Sequence, residues 1–358
     1  MQPQRILAIS VDRRIHITTA VTPTRRLVPF DRPVAAYEFD LSTPRVPQLK
    51  SAISDYLQNS GGVAFDIIGI SAIGVVDHRN QVWVSVPRND WRRDEFESGI
   101  SFKSLFDRTP AAEMLKVQGQ RGLCVFNDAS VVAITEGTLG AAQDCGPIPN
   151  ASFAQIIVGA GVNAAIVAGG RPVLGRCNPE LGHIIPQLHP NDAAEFMTKH
   201  FRGTCDQHRW RNRWCLEGLI SEKSIARRQW LKDLTDRRRK RAVDQLLGFY
   251  LSQLCAVLVL TSSPLRVVVT GERVSPAVLN FMRKSLHLWI RNYPAYSETR
   301  ELKSFITPAR FSNLDQARLA GVILAAERRL LHPFETEIAL ETDRPRRGRP
   351  VGLSPNRT

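Results

Sequence analysis

The chain carries two successive series of short apolar runs, most of them leading into a segment with helical spacing, and this alternation restricts it to layered α/β architectures. The first series opens with residues 6–11 (Ile-Leu-Ala-Ile-Ser-Val) and 15–21 (Ile-His-Ile-Thr-Thr-Ala-Val), which read as a hairpin around Asp12-Arg13-Arg14. Residues 47–59 have helical spacing with a Ser-Gly-Gly stop, and residues 65–71 form a buried strand. Residues 102–106 begin a helix, and residues 123–126 make a strand that leads through Asn127-Asp128 into a helix over 129–139. In the second series a strand over 153–158 breaks at Gly159-Ala160-Gly161 and resumes at 164–167. A long apolar-striped helix over 242–261 follows, then a strand over 266–270 ending at Gly271 and a helix from about Pro276. An Ala-rich packing helix covers 314–331. Strand alternating with helix predicts a largely parallel sheet covered on both faces.

At 358 residues the chain is long enough for two cores. No apolar run reaches the roughly 18–20 residues needed to span a bilayer, and the first residues lack the apolar stretch of a signal peptide, so a cytoplasmic protein is expected. The net charge of +14 is localised. Residues 200–241 hold 13 Lys/Arg against 5 acids, and residues 341–358 hold 5 Arg against 2 acids. Positive charge gathered in two places suggests a polyanionic partner, nucleic acid first, although solvated helix faces account for 227–241 equally well. Of six cysteines, Cys124 and Cys255 lie in apolar runs as core residues, and Cys145 and Cys177 lie in loops.

Two features carry chemistry. Asn127-Asp128 stands where a strand gives way to a helix, the place where α/β sheets bind ligands, and its carboxylate can accept a hydroxyl proton; helix capping explains the same pair. Cys205-Asp-Gln-His208, then Cys215, has the spacing of a metal knuckle in a reducing compartment. With the distant His183 it completes a Cys₂His₂ set suited to structural zinc, and His189 is a rival fourth ligand.

The ordered landmarks resemble the ROK family of bacterial sugar kinases and sugar-responsive repressors over about residues 5–333. They are Gly69-Ile-Ser-Ala-Ile-Gly74-Val-Val-Asp77, Asn89-Asp90-Trp91, Asn127-Asp128-Ala-Ser, Gly159-Ala-Gly161, Glu180-Leu-Gly-His183 and Cys215-Leu-Glu217-Gly218, with the Cys-x-x-His and Cys-Leu-Glu-Gly pieces closest to the fructokinase branch. The resemblance implies a two-lobed ribonuclease-H-like, actin-like α/β fold. It implies a small lobe over 1–128 completed by a C-terminal helix at about 311–333, a larger lobe over 129–310 with the zinc and sugar loop, and a homo-oligomer. Asp128 matches the general base; Asn127, Glu180, His183 and Glu217 match residues that bind sugar hydroxyls, and zinc shapes the loop that holds the sugar.

The nucleotide side departs from the family. Where the first strand normally ends in Asp-x-Gly-Gly-Thr-Lys, this chain has Ser10-Val11-Asp12-Arg13-Arg14-Ile15, so side chains stand where backbone N–H groups would approach ATP phosphates. The second phosphate turn reads Gly159-Ala160-Gly161, and the usual double glycine near adenosine reads Gly271-Glu272. Residues 335–358 are polar and read as a disordered basic tail, in which Arg347-Gly348-Arg349-Pro350 resembles the core of an AT-hook for A·T-rich DNA. The expectation is therefore a sugar sensor or transcriptional regulator with an eroded ATP site. The alternative is an ATP- and Mg-dependent hexokinase or fructokinase using Asp128 as base.

Overall fold

The computed structural model describes residues 3–22, 34–40, 42–61, 63–86, 93–96, 98–145, 151–208, 213–291 and 301–331. The landmark Asn89-Asp90-Trp91 and the tail residues Arg347, Gly348, Arg349 and Pro350 lie outside them.

The first sheet is assembled from β1 (Arg5–Val11), β2 (Arg14–Val21), β3 (Ala35–Glu38), β4 (Ile67–Ala72) and β8 (Leu123–Asn127) in the order β3-β2-β1-β4-β8. Between β4 and β8 the chain makes a small separate sheet of β5 (Val75–Asp77), β6 (Val82–Ser85) and β7 (Ile100–Ser101). Helices α1 (Arg45–Asn59), α2 (Ala111–Gln118) and α3 (Asp128–Leu139) belong to this half. The period-2 alternation of β1 sends Leu7, Ile9 and Val11 to one face, against Leu49 and Ile53 of α1, and Ile6 and Ala8 to the other. That second face is covered by α11 (Leu314–Leu331), through Leu319, Val322, Ile323 and Ala326. Gly69 lies directly beneath Val322, where a side chain would hold α11 off the sheet.

The second sheet repeats the plan with β9 (Phe153–Val158), β10 (Val162–Ala168), β11 (Arg171–Pro172), β12 (Val267–Thr270) and β13 (Ile306–Pro308), in the order β11-β10-β9-β12-β13. Between β11 and β12 run α4 (Pro190–Met197), α5 (Leu216–Ile220), α6 (Glu222–Arg227), α7 (Gln229–Lys232) and α8 (Asp236–Ser262); α9 (Pro276–Ile290) and α10 (Leu302–Phe305) precede β13. One face packs on Leu246, Leu254 and Leu258 of α8 and Val278 and Met282 of α9; the other packs on Ala129, Val132 and Ala133 of α3.

Neither sheet is largely parallel, which corrects the expectation from strand–helix alternation. In each, the first strand is antiparallel to the second, and only the strands reached through helices (β4 and β8, β12 and β13) run parallel. The reason is local. Asp12 N donates to Arg14 O (3.0 Å) and Gly159 N to Gly161 O (2.9 Å), so both chains reverse in tight turns that need no crossover. Helix α8 also starts earlier than its apolar stripe, because the preceding Arg and Lys are good helix formers that carry no core signal. Among the described residues α8 alone is long and apolar enough to cross a membrane, and 67% of its apolar window is buried inside the fold.

Candidate functional site

The two hairpin turns face each other across a cleft of about 740 Å³ between the sheets. Asp12, Arg13 and Arg14 line one wall and Gly159, Ala160 and Gly161 the other; Asp128, Glu180 and Glu217 lie between, with Asp315 and Arg318 at the start of α11. Asp128 reaches this place because β8 ends there and α3 begins, as expected at the carboxyl ends of strands. Asn127 is buried and caps α3, its Oδ1 accepting from Ser130 N (3.1 Å), so the capping explanation of this residue holds. The Asp128 Oδ1 accepts from Ala129 N (2.9 Å) and its Oδ2 lies 3.5 Å from Arg318 Nη2. Burial raises the Asp128 pKa above the usual carboxylate range; the Arg318 charge opposes the rise and Asp12 adds to it.

Glu180 Oε1 accepts from Asn178 Nδ2 (2.6 Å), and its Oε2 stands 3.8 Å from His183 Nε2. Burial pushes its pKa up to about 7, opposed by His183 and reinforced by Asp128 and Glu217. All three acids line the same cleft. Glu217 is delivered by α5, whose N-cap is Cys215, and its Oε2 accepts from Val162 N (3.3 Å). A Cβ on Gly161 would run into that carboxylate, so this glycine makes room for Glu217. Gly271 is also a steric requirement: its φ is +137°, and a Cβ would strike the Val158 carbonyl oxygen.

His183 has two faces. While Nε2 looks at Glu180, Nδ1 lies 3.6 Å from Cys205 Sγ and 3.5 Å from Cys215 Sγ. His208 Nδ1 lies 3.3 Å from Cys205 Sγ, and one donor atom from each of His183, Cys205, His208 and Cys215 falls within 4.8 Å of all the others. Bonds of about 2.3 Å to sulfur and about 2.0–2.1 Å to nitrogen, at tetrahedral angles, put such N and S atoms about 3.6 Å apart. The donor set and its spacing therefore suit one tetrahedral metal ion. A hydrogen bond from Cys215 holds the Cys205 thiol well below its usual range and pushes Cys215 up in return, and a depressed thiol is the kind a metal ion takes. His189, the rival ligand, is committed elsewhere: its Nδ1 accepts from Asn191 N (3.3 Å) to cap α4, and its ring stacks on Trp230.

The residues aligned with phosphate loops are scattered in role. Ser10 is buried inside β1, Arg13 is exposed, and Arg14 pairs with Glu38 (2.8 Å) on the rim. Asp12 points inward, its Oδ2 lying 3.0 Å from Arg318 Nη1. Sequence reasoning missed Arg318, Asp315 and Asn178. The available signal for Arg318 was a charged residue inside the apolar stripe of α11, next to Leu319 and Val322.

The ROK family model matches residues 42–324. A curated protein of Bacillus subtilis (strain 168), named "Putative fructokinase", is 24% identical over 285 residues, which cover 78% of this chain and 84% of that one. The solved ROK hexokinase of Thermus thermophilus superposes with a TM-score of 0.60 at 19% identity, covering 91% of this chain and 99% of that one. A ROK family transcriptional regulator, a homologue of the E. coli MLC protein, superposes with a TM-score of 0.62 at 19% identity, covering 91% and 80%. The fold is accordingly the two-lobed, ribonuclease-H-like and actin-like one, shared with that hexokinase and that transcriptional regulator. With a family match over most of its length and a cleft built from the same landmarks, this chain belongs to the ROK family.

Proposed function

We propose that the chain binds a neutral sugar in the cleft between its lobes, beside a structural zinc, and serves as a cytoplasmic sugar sensor or transcriptional regulator. The convergence of Asp128, Glu180 and Glu217, with His183 joining them to the four-donor metal group, carries this reading. Carboxylates accept from vicinal hydroxyls, and a loop holding two of them needs a rigid anchor. On the nucleotide side, Asp12 and Arg13 occupy the turn where backbone N–H groups would meet phosphates. Each lost contact of that kind costs about 1–3 kcal/mol, and two or three together move a micromolar site to about millimolar. The kinase reading is supported by the raised pKa of Asp128, which suits a general base, and by the similarity to a curated fructokinase and a solved hexokinase.

Calorimetric titration should therefore find a hexose or aminohexose that binds, and weak or no binding of ATP·Mg. Glu180→Gln should lower the sugar affinity about tenfold or more by weakening a charged acceptor. Phosphorylation of a hexose at about 1–100 s⁻¹, typical of kinases, would replace the sensor by the enzyme.

For the regulator reading we propose a DNA contact made by Arg347-Gly348-Arg349-Pro350 together with the start of α8, where Arg237, Arg238, Lys240 and Arg241 are exposed. Affinity should favour A·T-rich duplexes and fall steeply with salt. Deleting residues 341–358 should remove the A·T preference and leave weaker, sequence-independent binding. Anisotropy titrations at two salt concentrations check this, and equal affinity for A·T-rich and G·C-rich duplexes before and after the deletion would discard the tail contact.

A further inference from the structure

The side chain that organises the cleft belongs to none of the motifs. Arg318, one turn into α11, extends its guanidinium between the β1–β2 turn and the start of α3. Its Nη1 lies 3.0 Å from Asp12 Oδ2 and 3.1 Å from Asp315 Oδ1, and its Nη2 lies 3.5 Å from Asp128 Oδ2. Asp315 also stands 3.8 Å from His16 Nε2. The arginine side chain is only 6% exposed, although the groups it joins all line the cleft. Nor can it swing freely: α11 is pressed against α3, with Gly321 directly under the Val131 carbonyl, and against β4 at Gly69.

We infer that Arg318 is a resident cation, standing between Asp12 and Asp128 where a divalent metal would otherwise have to bridge them, so that the cleft takes an uncharged sugar without Mg²⁺. The inference rests on the reading of the cleft as a sugar site and supplies that site's ligand class. Carboxylates gathered around one point at the edge of a cleft need a counterion. A mobile Mg²⁺ can serve, but it demands near-ideal octahedral geometry and gives up water reluctantly. A guanidinium tethered to a packed helix is present at high effective concentration and outcompetes it.

The charge balance also decides what else can enter. Three carboxylates meet one guanidinium, and Glu180, Glu217, Glu222 and Glu272 line the rest of the cleft. Of the other cations there, Arg13 is exposed, Arg14 pairs with Glu38 and Arg273 donates to Ile220 O (2.5 Å), so seven acids line the cleft against four arginines. A phosphate group at this end of the cleft meets an excess of negative charge, whereas a neutral polyhydroxyl ligand presents donors to the carboxylates. Arg318 also fixes the orientation of Asp128, whose other oxygen is held by the Ala129 N–H. Arg318 is thus a positioning residue for the sugar acceptor and a specificity filter against metal–phosphate ligands.

The test is calorimetry with the best-binding hexose on the full-length, zinc-loaded protein, with and without millimolar Mg²⁺. The parent should bind equally well in both. Arg318→Ala should bind about 10–100-fold more weakly, the range for a lost charged hydrogen bond. Millimolar guanidinium or Mg²⁺ should restore part of that loss, and Arg318→Lys should retain an intermediate affinity; a purely structural arginine would give neither rescue. Mg²⁺ is the appropriate probe because thiolates do not take it, which leaves the His/Cys group undisturbed. A parent that needs Mg²⁺ for sugar binding would overturn the inference. So would an Arg318→Ala protein that binds as the parent does, or one that is folded by circular dichroism yet rescued by neither cation. If no hexose binds the parent at all, the sugar reading itself fails, before Arg318 is reached.

Discussion

Asp192→Ala is expected to destabilise the larger lobe by about 3–5 kcal/mol, the cost of breaking a buried ion pair from one side. Asp192 on α4 is 1% exposed and Arg228, between α6 and α7, is fully buried. The carboxylate accepts from Arg228 Nε and Nη2 (2.6 Å each), from the Tyr250 hydroxyl (2.6 Å) and from Trp230 Nε1 (3.3 Å). Removing it leaves the guanidinium, among the described residues, with the Ser224 carbonyl (3.0 Å) and the face of Phe201. Removing both charges with Asp192→Ala/Arg228→Met should recover much of the loss, because no unpaired charge then remains buried. Denaturant unfolding of the two variants measures this. A single-variant loss under about 1 kcal/mol would mean that water reaches the arginine, in the range typical of exposed pairs. The network matters to the cleft because Tyr250 also accepts from His189 N (3.0 Å), and Gln253 exchanges hydrogen bonds with Gln187, just beyond Glu180 and His183.

Cys215→Ser should have the second large effect. Metal analysis of protein purified without added zinc is expected to give about one ion per chain for the parent, as a four-ligand structural site would hold, and little for the variant. The loss should spread to the sugar: Cys215 caps α5 by accepting from Gly218 N (3.4 Å), and Glu217 lies between them. His183 would lose the anchor of its Nδ1 at the same time. Since a structural zinc contributes about 10–16 kcal/mol of apparent binding free energy, thermal stability should fall along with sugar affinity. His189→Ala should keep the metal, because that ring caps α4; His208→Ala should weaken it. Zinc retained in full by Cys215→Ser would remove the assignment.

Much of the chain could be read before any contact was known. Residues 6–11, 123–126, 153–158 and 314–331 announce their elements because apolar periodicity is a property of near neighbours. The motif residues Asp128, Glu180, His183 and Glu217 were legible for another reason: they stand in an ordered set of motifs that resembles the ROK family, and that resemblance, not spacing alone, marked them as site residues. The small sheet of β5, β6 and β7 was not legible. Its strands are short, and its anchor is a long-range one, the Trp83 ring stacked on Phe102 with Nε1 donating to Ile73 O (2.8 Å).

By itself the sequence determined the two series of strands and helices, the Cys205, His208 and Cys215 spacing, and a first turn of Asp12-Arg13-Arg14 without glycine. It left open how the strands pair, which histidine joins the sulfurs, and what faces Asp128. Those were decided by the order of strands in each sheet and by the crossing of α11 over α3. Arg318 meets a carboxylate 190 positions away, and Gly161 clears space for a glutamate on a different element. No local pattern encodes such a meeting, because it depends on where two rigid elements are carried by everything that packs between them.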